Sequence, residues 1–254
     1  MVWRNDEGLI DRVVVVTGAG GGIGRSVCQA LDDAGAKVLA VDISDEAVEG
    51  AIRGLSGSGH RGLALNLADI GSHDRVFDQA VGLGQLAALV HCAAVLIRRS
   101  TVDDVTEEDW DLQHDVNLKA TFFLNRSAQQ AFVRQGTGGS IVNFTSQGWW
   151  TGGFGGSVVY AASKGGIVSL TRGLARSFAP SGVRVNAVSP GGVDTSMLRS
   201  GSTDEAVAGF VAMIPLGRLA EPDELTGAVL FLASNASEYV TGAVINVSGG
   251  QLMY

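Results

Sequence analysis

The sequence predicts an α/β fold, a single-domain doubly wound parallel sheet of about seven strands with helices on both faces. Three observations predict it. Short β-branched apolar runs alternate with helix-period segments along the chain. Those runs are continuously apolar, as strands covered on both faces must be. The first of them leads through a glycine-rich turn straight into a helix. Right-handed crossovers then wind the helices onto both faces. At 254 residues and 46% apolar content, the chain can bury a sizeable core as one unit.

The elements follow in order. Four valines form the first strand, 13–16, and helix 23–34 ends at Gly35, the residue type favoured just past a helix. Strand 38–41 precedes helix 45–53, for which Ser44 serves as N-cap. Strand 63–65 is followed by helix 69–81. Strand 88–91 is followed by helix 107–134, where Thr106 and Asp109 have capping-box spacing. Strand 141–144, helix 160–178 and strand 183–188 continue the alternation. Residues 196–219 then break it, where a doubly wound sheet places a substrate-covering segment. Helix 222–233, opened by Pro222, and strand 243–247 complete a single domain over 1–254.

Composition narrows the function. A net charge of −8 disfavours nucleic acid and anionic membrane as partners. Residues 1–7 carry acids where an export signal needs basic and apolar residues, and no apolar run approaches ~18 residues, so a soluble cytoplasmic protein is expected. Cys28 and Cys92 have no metal-ligand spacing and read as reduced, buried thiols, and no metal is expected.

Thr17-Gly18-Ala19-Gly20-Gly21-Gly22-Ile23-Gly24 joins the first strand to the first helix. Such a turn brings backbone close to a pyrophosphate, and the helix N-terminus supplies free N–H groups and positive dipole. Gly18, Gly20, Gly22, Ile23 and Gly24 are therefore expected to bind a dinucleotide. Asp42, at the end of the second strand, can accept bonds from both ribose hydroxyls and repels a 2′-phosphate, which selects NAD over NADP.

Tyr160 and Lys164 stand one helical turn apart on one face. A tyrosine with its usual pKa of ~10 exchanges protons with an alcohol at neutral pH only if its phenolate is stabilised, and a nearby ammonium has the required sign. Ser146, at the carboxyl end of the fifth strand, can reach the same reacting oxygen. It is no hydrolase nucleophile, because Phe144 stands where a nucleophile elbow needs glycine and no histidine follows Tyr160.

The turn, the serine and the Tyr160-x-x-x-Lys164 helix, in this order, resemble the short-chain dehydrogenase/reductase family in its ~250-residue form, over essentially the whole chain. Asn117 in Asp115-Val116-Asn117-Leu118, Pro190-Gly191-Gly192-Val193-Asp194-Thr195, Pro215-Leu216-Gly217-Arg218 and Tyr239-Val240-Thr241-Gly242 belong to the resemblance. It implies a Rossmann domain and a proton transfer at Tyr160. Lys164 would hold the nicotinamide ribose, Ser146 would orient the substrate oxygen, and Asn117 would position a relay water. Asn66, Leu67, Ala93, Pro190 and Gly191 would border the cofactor, and Val193 and Thr195 would hold its carboxamide. It also implies a homotetramer built on the Asn117 and Tyr160 helices and the C-terminal strand. The chain departs from the family pattern at His91-Cys92-Ala93-Ala94, where the family has N-N-A-G, at Asn66, and at Val247-Ser248-Gly249-Gly250.

On the substrate side, Gln147, Trp149, Trp150 and Gly192, with Met197, Leu198, Phe210 and Met213 of the covering segment, are candidates for a pocket wall; the tryptophans suit a subunit contact equally. No Arg or Lys falls on the substrate-facing loops between Tyr160 and Ser196. The expected substrate is a neutral, fairly hydrophobic secondary alcohol or ketone. A 3-oxoacyl thioester reductase and a non-catalytic NAD-binding scaffold are the alternatives.

Of the 36 glycines, 12 fall on three loops, 18–24, 148–156 and 191–192, expected at the carboxyl edge of the sheet. They are expected to give a dinucleotide and its substrate backbone clearance.

Overall fold

The computed structural model describes residues 8–153 and 155–253. Residues 1–7, Phe154 in the loop 148–156 and the terminal Tyr254 lie outside the described residues.

The strands are β1 Val13–Thr17, β2 Lys37–Asp42, β3 Arg61–Ala64, β4 Leu86–His91, β5 Gly139–Phe144, β6 Val183–Pro190 and β7 Val244–Val247. The helices are α1 Gly22–Asp33, α2 Asp45–Ile52, α3 His73–Leu83, α4 Glu107–His114, α5 Ala120–Gln135, α6 Gly148–Thr151, α7 Val158–Phe178, α8 Ser196–Arg199, α9 Asp204–Val211 and α10 Thr226–Ala233. All strand pairs are parallel, in the order β3-β2-β1-β4-β5-β6-β7. Chain direction along the sheet reverses between β1 and β4, which opens a crevice at the carboxyl ends of these strands.

The period-2 geometry of a strand explains why the valine run had to be continuous. Val13 and Val15 pack into the layer formed with Val76 and Phe77 of α3, Leu124 and Phe132 of α5, and Leu174 of α7. Val14 and Val16 pack into the opposite layer, with Val27 and Leu31 of α1 and Val229 and Leu232 of α10. All four valines are fully buried, each contributing roughly 1.5–3 kcal/mol of transfer free energy. A polar residue at any of them would open one of the two layers.

The predicted caps form. Ser44 Oγ accepts from the Ala47 N–H at 3.2 Å, and Thr106 and Asp109 make a reciprocal capping box. Gly35 adopts φ +79° and its N–H bonds the Asp32 carbonyl at 2.8 Å.

Several boundaries differ from expectation for local reasons. The edge strand β3 runs 61–64 rather than 63–65, because its partner β2 extends pairing back to Arg61. Helix 69–81 begins only at His73, after a 3₁₀ turn over Ile70–Ser72. Helix 107–134 is interrupted by a π turn at Asp115–Lys119, and such turns re-aim side chains at functional sites. Pro222–Leu225 forms a 3₁₀ turn ahead of α10. The break at 196–219 contains the short helices α8 and α9. Among the described residues no helix is long and apolar enough to cross a membrane.

Candidate active site

A cavity of about 450 Å³ opens along the carboxyl edge of the sheet, from Gly21–Gly24 at the start of α1 to Met197, Leu198 and Phe210 of the segment carrying α8 and α9. Tyr160, Lys164 and Ser146 all line it. Helix α7 places Lys164 Nζ 5.6 Å from the centroid of the Tyr160 ring, and Nζ donates to the Phe144 carbonyl at 2.9 Å. Ser146 stands two residues past the end of β5, and its hydroxyl is hydrogen-bonded to Tyr160. Three groups from two elements thus converge, one hydroxyl beside one phenol with an ammonium below.

The electrostatics of this trio differ from expectation. Burial pushes Tyr160 up to about 12, with the Ser146 hydrogen bond and the charge of Arg98 pulling the other way. Burial also pulls Lys164 down to about 8. The protein alone therefore does not depress the tyrosine, since desolvation of the phenolate outweighs the neighbouring charge.

Asn117 is fully buried and its side chain is committed elsewhere. Oδ1 accepts from the Val95 N–H at 2.8 Å, and Nδ2 donates to the Val95 carbonyl at 2.9 Å and to Ser163 Oγ at 3.1 Å. The π turn aims Asn117 at the loop after β4, which it fastens to the helices. It does not line the cavity.

At the other end, α1 starts directly from the glycine turn and, like α3, α5, α6, α7 and α10, has no side-chain cap. The uncapped first turn of α1, Gly22, Ile23 and Gly24, faces the cavity. Unsatisfied N–H groups with a positive dipole end suit an anionic pyrophosphate, so the residues present fit a dinucleotide.

The glycines divide by role. A Cβ on Gly18 would lie 2.7 Å from Ala93 backbone, one on Gly20 2.7 Å from Ala47 Cβ, one on Gly22 2.9 Å from Thr195 Cγ2, and one on Gly24 would overlap the Gly18 carbonyl. These glycines are needed for packing of the turn itself. Gly21, which the sequence reading left out of the binding set, lines the cavity, and a Cβ there would meet only the Gly18 oxygen at 3.3 Å. Gly20 does not line the cavity; its N–H donates to Asp42 Oδ2 at 2.8 Å.

Asp42 also accepts from its neighbour Ile43 N–H at 2.7 Å. It ends β2 beside the turn and does not line the cavity; neither do exposed Asn66, buried Leu67 and half-buried Ala93. Pro190, which ends β6, and Gly191, Val193 and Thr195 beyond it do line the cavity.

Of the substrate candidates, Gln147, Met197, Leu198 and Phe210 line the cavity. Trp149 and Trp150 do not; they form an edge-to-face pair 5.2 Å apart on α6, with Trp150 59% exposed. Gly192 packs beneath Phe210 and Leu219, where a side chain would collide with both. Met213 is exposed and lies outside the lining.

Two further residues complete the site. His91, which reads from the sequence as a core or supporting histidine, is 2% exposed. Its Nδ1 lies 2.6 Å from Thr17 Oγ1 and its Nε2 2.9 Å from Thr121 Oγ1. Since the Thr121 hydroxyl donates to the Asn117 carbonyl at 2.5 Å, it can only accept from His91. The network thus assigns a neutral ring protonated at Nε2, with Thr17 donating to Nδ1. The second is Arg98, on the loop after β4, which lines the cavity. Arg98 lies outside the loops between Tyr160 and Ser196, so the absence of Arg and Lys on those loops does not leave the whole cavity without a cation.

Comparison with known proteins places these features in context. A family model described as enoyl-(acyl carrier protein) reductase matches residues 18–251. The chain is 35% identical over 243 residues to the 3-oxoacyl-[acyl-carrier-protein] reductase FabG of Escherichia coli (strain K12), covering 95% of this chain and 98% of that protein. Among solved structures, a short-chain type dehydrogenase/reductase from Mycobacterium marinum superposes with TM-score 0.91 at 31% identity, over 98% of both chains. A putative NAD(P)-dependent gluconate 5-dehydrogenase from Beutenbergia cavernae, with bound NADP, superposes with TM-score 0.87 at 37% identity, over 98% of this chain and 99% of that one.

Proposed function

The chain belongs to the short-chain dehydrogenase/reductase family, and we propose that it oxidises a secondary alcohol, or reduces the matching ketone, with NAD(H) as cofactor. The observation that carries the reading is the convergence of Ser146, Tyr160 and Lys164 in one cavity with the uncapped end of α1. The bound dinucleotide supplies the hydride acceptor or donor. Tyr160 takes the hydroxyl proton as the alcohol is oxidised and returns it on reduction. Ser146 donates to the same substrate oxygen and holds it against Tyr160. Lys164 adds positive charge that favours the phenolate. The lining is mainly apolar, with Leu96, Met197, Leu198, Val207 and Phe210, and suits a carbon skeleton.

NAD rather than NADP is supported by the Asp42 carboxylate at the end of β2, which repels a 2′-phosphate. The relationships support the thioester alternative as well, since FabG by its name reduces a 3-oxoacyl thioester. A cytoplasmic homotetramer joined through the faces of α5 and α7 and the C-terminal strand is the assembly we propose, supported by exposed Val133 and Val158 on those helices.

The test is an absorbance screen at the NADH band, with both cofactors, over secondary alcohols, sugars and 3-hydroxyacyl thioesters. Turnover of secondary alcohols with NAD is expected. Turnover of thioesters alone, with NADPH alone, would replace the reading with its alternative, and cofactor binding without turnover of any ketone or alcohol would favour the scaffold.

A further inference from the structure

The substrate end of the cavity holds two polar groups that the proposed hydride transfer does not use. Arg98 Nη1 donates to the backbone carbonyls of Met197 at 2.9 Å and Ser200 at 2.8 Å, at the tip of the covering segment. Among the described residues Arg98 forms no ion pair, although Arg99 beside it is paired with Asp109 at 2.7 Å. Its remaining nitrogens belong to a half-buried cation that burial disfavours and that acts electrostatically on Tyr160. Gln147 is 7% exposed, lines the same cavity, and its Oε1 has no hydrogen-bond partner.

The charge balance of the lining points the same way. No Asp or Glu is among the residues that line the cavity, whereas Arg98 and Lys164 both are. Lys164 serves the reacting oxygen and the cofactor, which leaves Arg98 as the cation at the substrate end of an acid-free lining. A partly desolvated guanidinium without a carboxylate is costly unless something completes it, and its planar fork matches a carboxylate. An orphaned buried amide oxygen calls for a donor, such as a hydroxyl.

We propose that the substrate is a hydroxy acid whose carboxylate is held by Arg98 and which carries, besides the hydroxyl that reacts at Tyr160, a second hydroxyl that donates to Gln147 Oε1. The inference rests on the alcohol dehydrogenase reading and names its substrate class. It also gives the covering segment a function, since the residue that meets the carboxylate is the one that ties down the backbone at Met197 and Ser200. Substrate charge and closure of the pocket are thereby coupled in one side chain. The apolar wall formed by Leu198, Val207 and Phe210 then contacts the carbon skeleton between the two polar ends.

The test pairs acids with uncharged counterparts of the same skeleton: 3-hydroxybutyrate, threonate and gluconate, each beside its primary amide, with NAD and with NADP. The wild type is expected to prefer acids at least tenfold in kcat/KM, and polyhydroxy acids over 3-hydroxybutyrate. Arg98→Met should lower the acid-to-amide ratio by roughly 10–100-fold, the loss of one charge-assisted contact, with Arg98→Lys intermediate. Gln147→Leu should erase the preference for the second hydroxyl and leave the acid-to-amide ratio intact. If Arg98→Met lowers acid and amide alike, Arg98 is only a strap for the covering segment and the proposal falls. Equal use of acids and amides by the wild type overturns it while leaving the oxidoreductase reading standing. A readout independent of turnover is calorimetric titration of the enzyme–NADH complex with butyrate and butyramide. Saturable binding of butyrate alone, weakened tenfold or more in Arg98→Met, supports the assignment, and equal binding of both compounds, or of neither, overturns it.

Discussion

His91 offers a quantitative test of the buried network behind the site. Its ring is held neutral between Thr17 and Thr121, and burial, reinforced by the charges of Lys164 and His73, lowers its pKa from 6.5 to about 3. The folded pKa is depressed, so the unfolded chain binds a proton that the folded chain refuses between these two values. Stability is therefore intact above about pH 6.5 and falls as pH drops toward 3. At 1.36 kcal/mol per pH unit, the full span from 6.5 to about 3 amounts to about 5 kcal/mol, of which about 2.7 kcal/mol accrues by pH 4.5. The perturbation is His91→Asn, which keeps a polar side chain and removes the titration. Urea unfolding at pH 7.5, 6.0, 5.0 and 4.5 measures both proteins, and carboxylates shared by the two cancel in the difference. At pH 7.5 the variant should be less stable, because two buried hydrogen bonds are lost or weakened. By pH 4.5 the wild type should have lost about 2–3 kcal/mol relative to the variant. A stability difference that stays constant from pH 7.5 to 4.5 would refute the neutral, doubly bonded ring.

Three further expectations follow from the turn, the second strand and the helix faces. Gly21→Ala should fold with a Tm within a few degrees of wild type but bind NADH at least tenfold more weakly, whereas Gly24→Ala should lose stability first; fluorescence titration and thermal melts separate the two, and the reverse pattern would contradict the division of roles. Asp42→Ser should raise the NADP-to-NAD ratio of kcat/KM at least tenfold and cost about 1–3 kcal/mol of stability as the Gly20 and Ile43 N–H groups lose their acceptor; an unchanged ratio would remove the cofactor assignment. Light scattering should give the mass of a tetramer at micromolar concentration, and a monomer would count against assembly through α5 and α7.

Much of this was legible in the sequence because it is local. The valine run, the turn from Thr17 to Gly24, the caps at Ser44 and Thr106, and the pair Tyr160 and Lys164 are all set by spacings within one or two turns of chain. What sequence could not show depends on distant segments meeting. Arg98 enters the cavity only because the loop after β4 runs beneath the tip of the segment 196–202, about a hundred residues on. His91 acquires its role from Thr17 and Thr121, on opposite sides of it in the chain. Trp149 and Trp150 were legible as a pair but not as outside the cavity, because a four-residue helix has too little periodicity to declare its buried face. The glycine turn is legible as a motif, yet most of its glycines make room for protein, which only the packing of Ala47, Ala93 and Thr195 reveals.

The central claim is proton transfer at Tyr160, and its most direct test is Tyr160→Phe with turnover and NADH binding measured on the same preparation. The variant keeps the ring and loses only the hydroxyl. Turnover should fall about 10²–10⁴-fold, with NADH affinity within about threefold of wild type, as expected for a hydroxyl that exchanges a substrate proton and holds no cofactor. Turnover within a few-fold of wild type, with the same NADH affinity, would contradict the account.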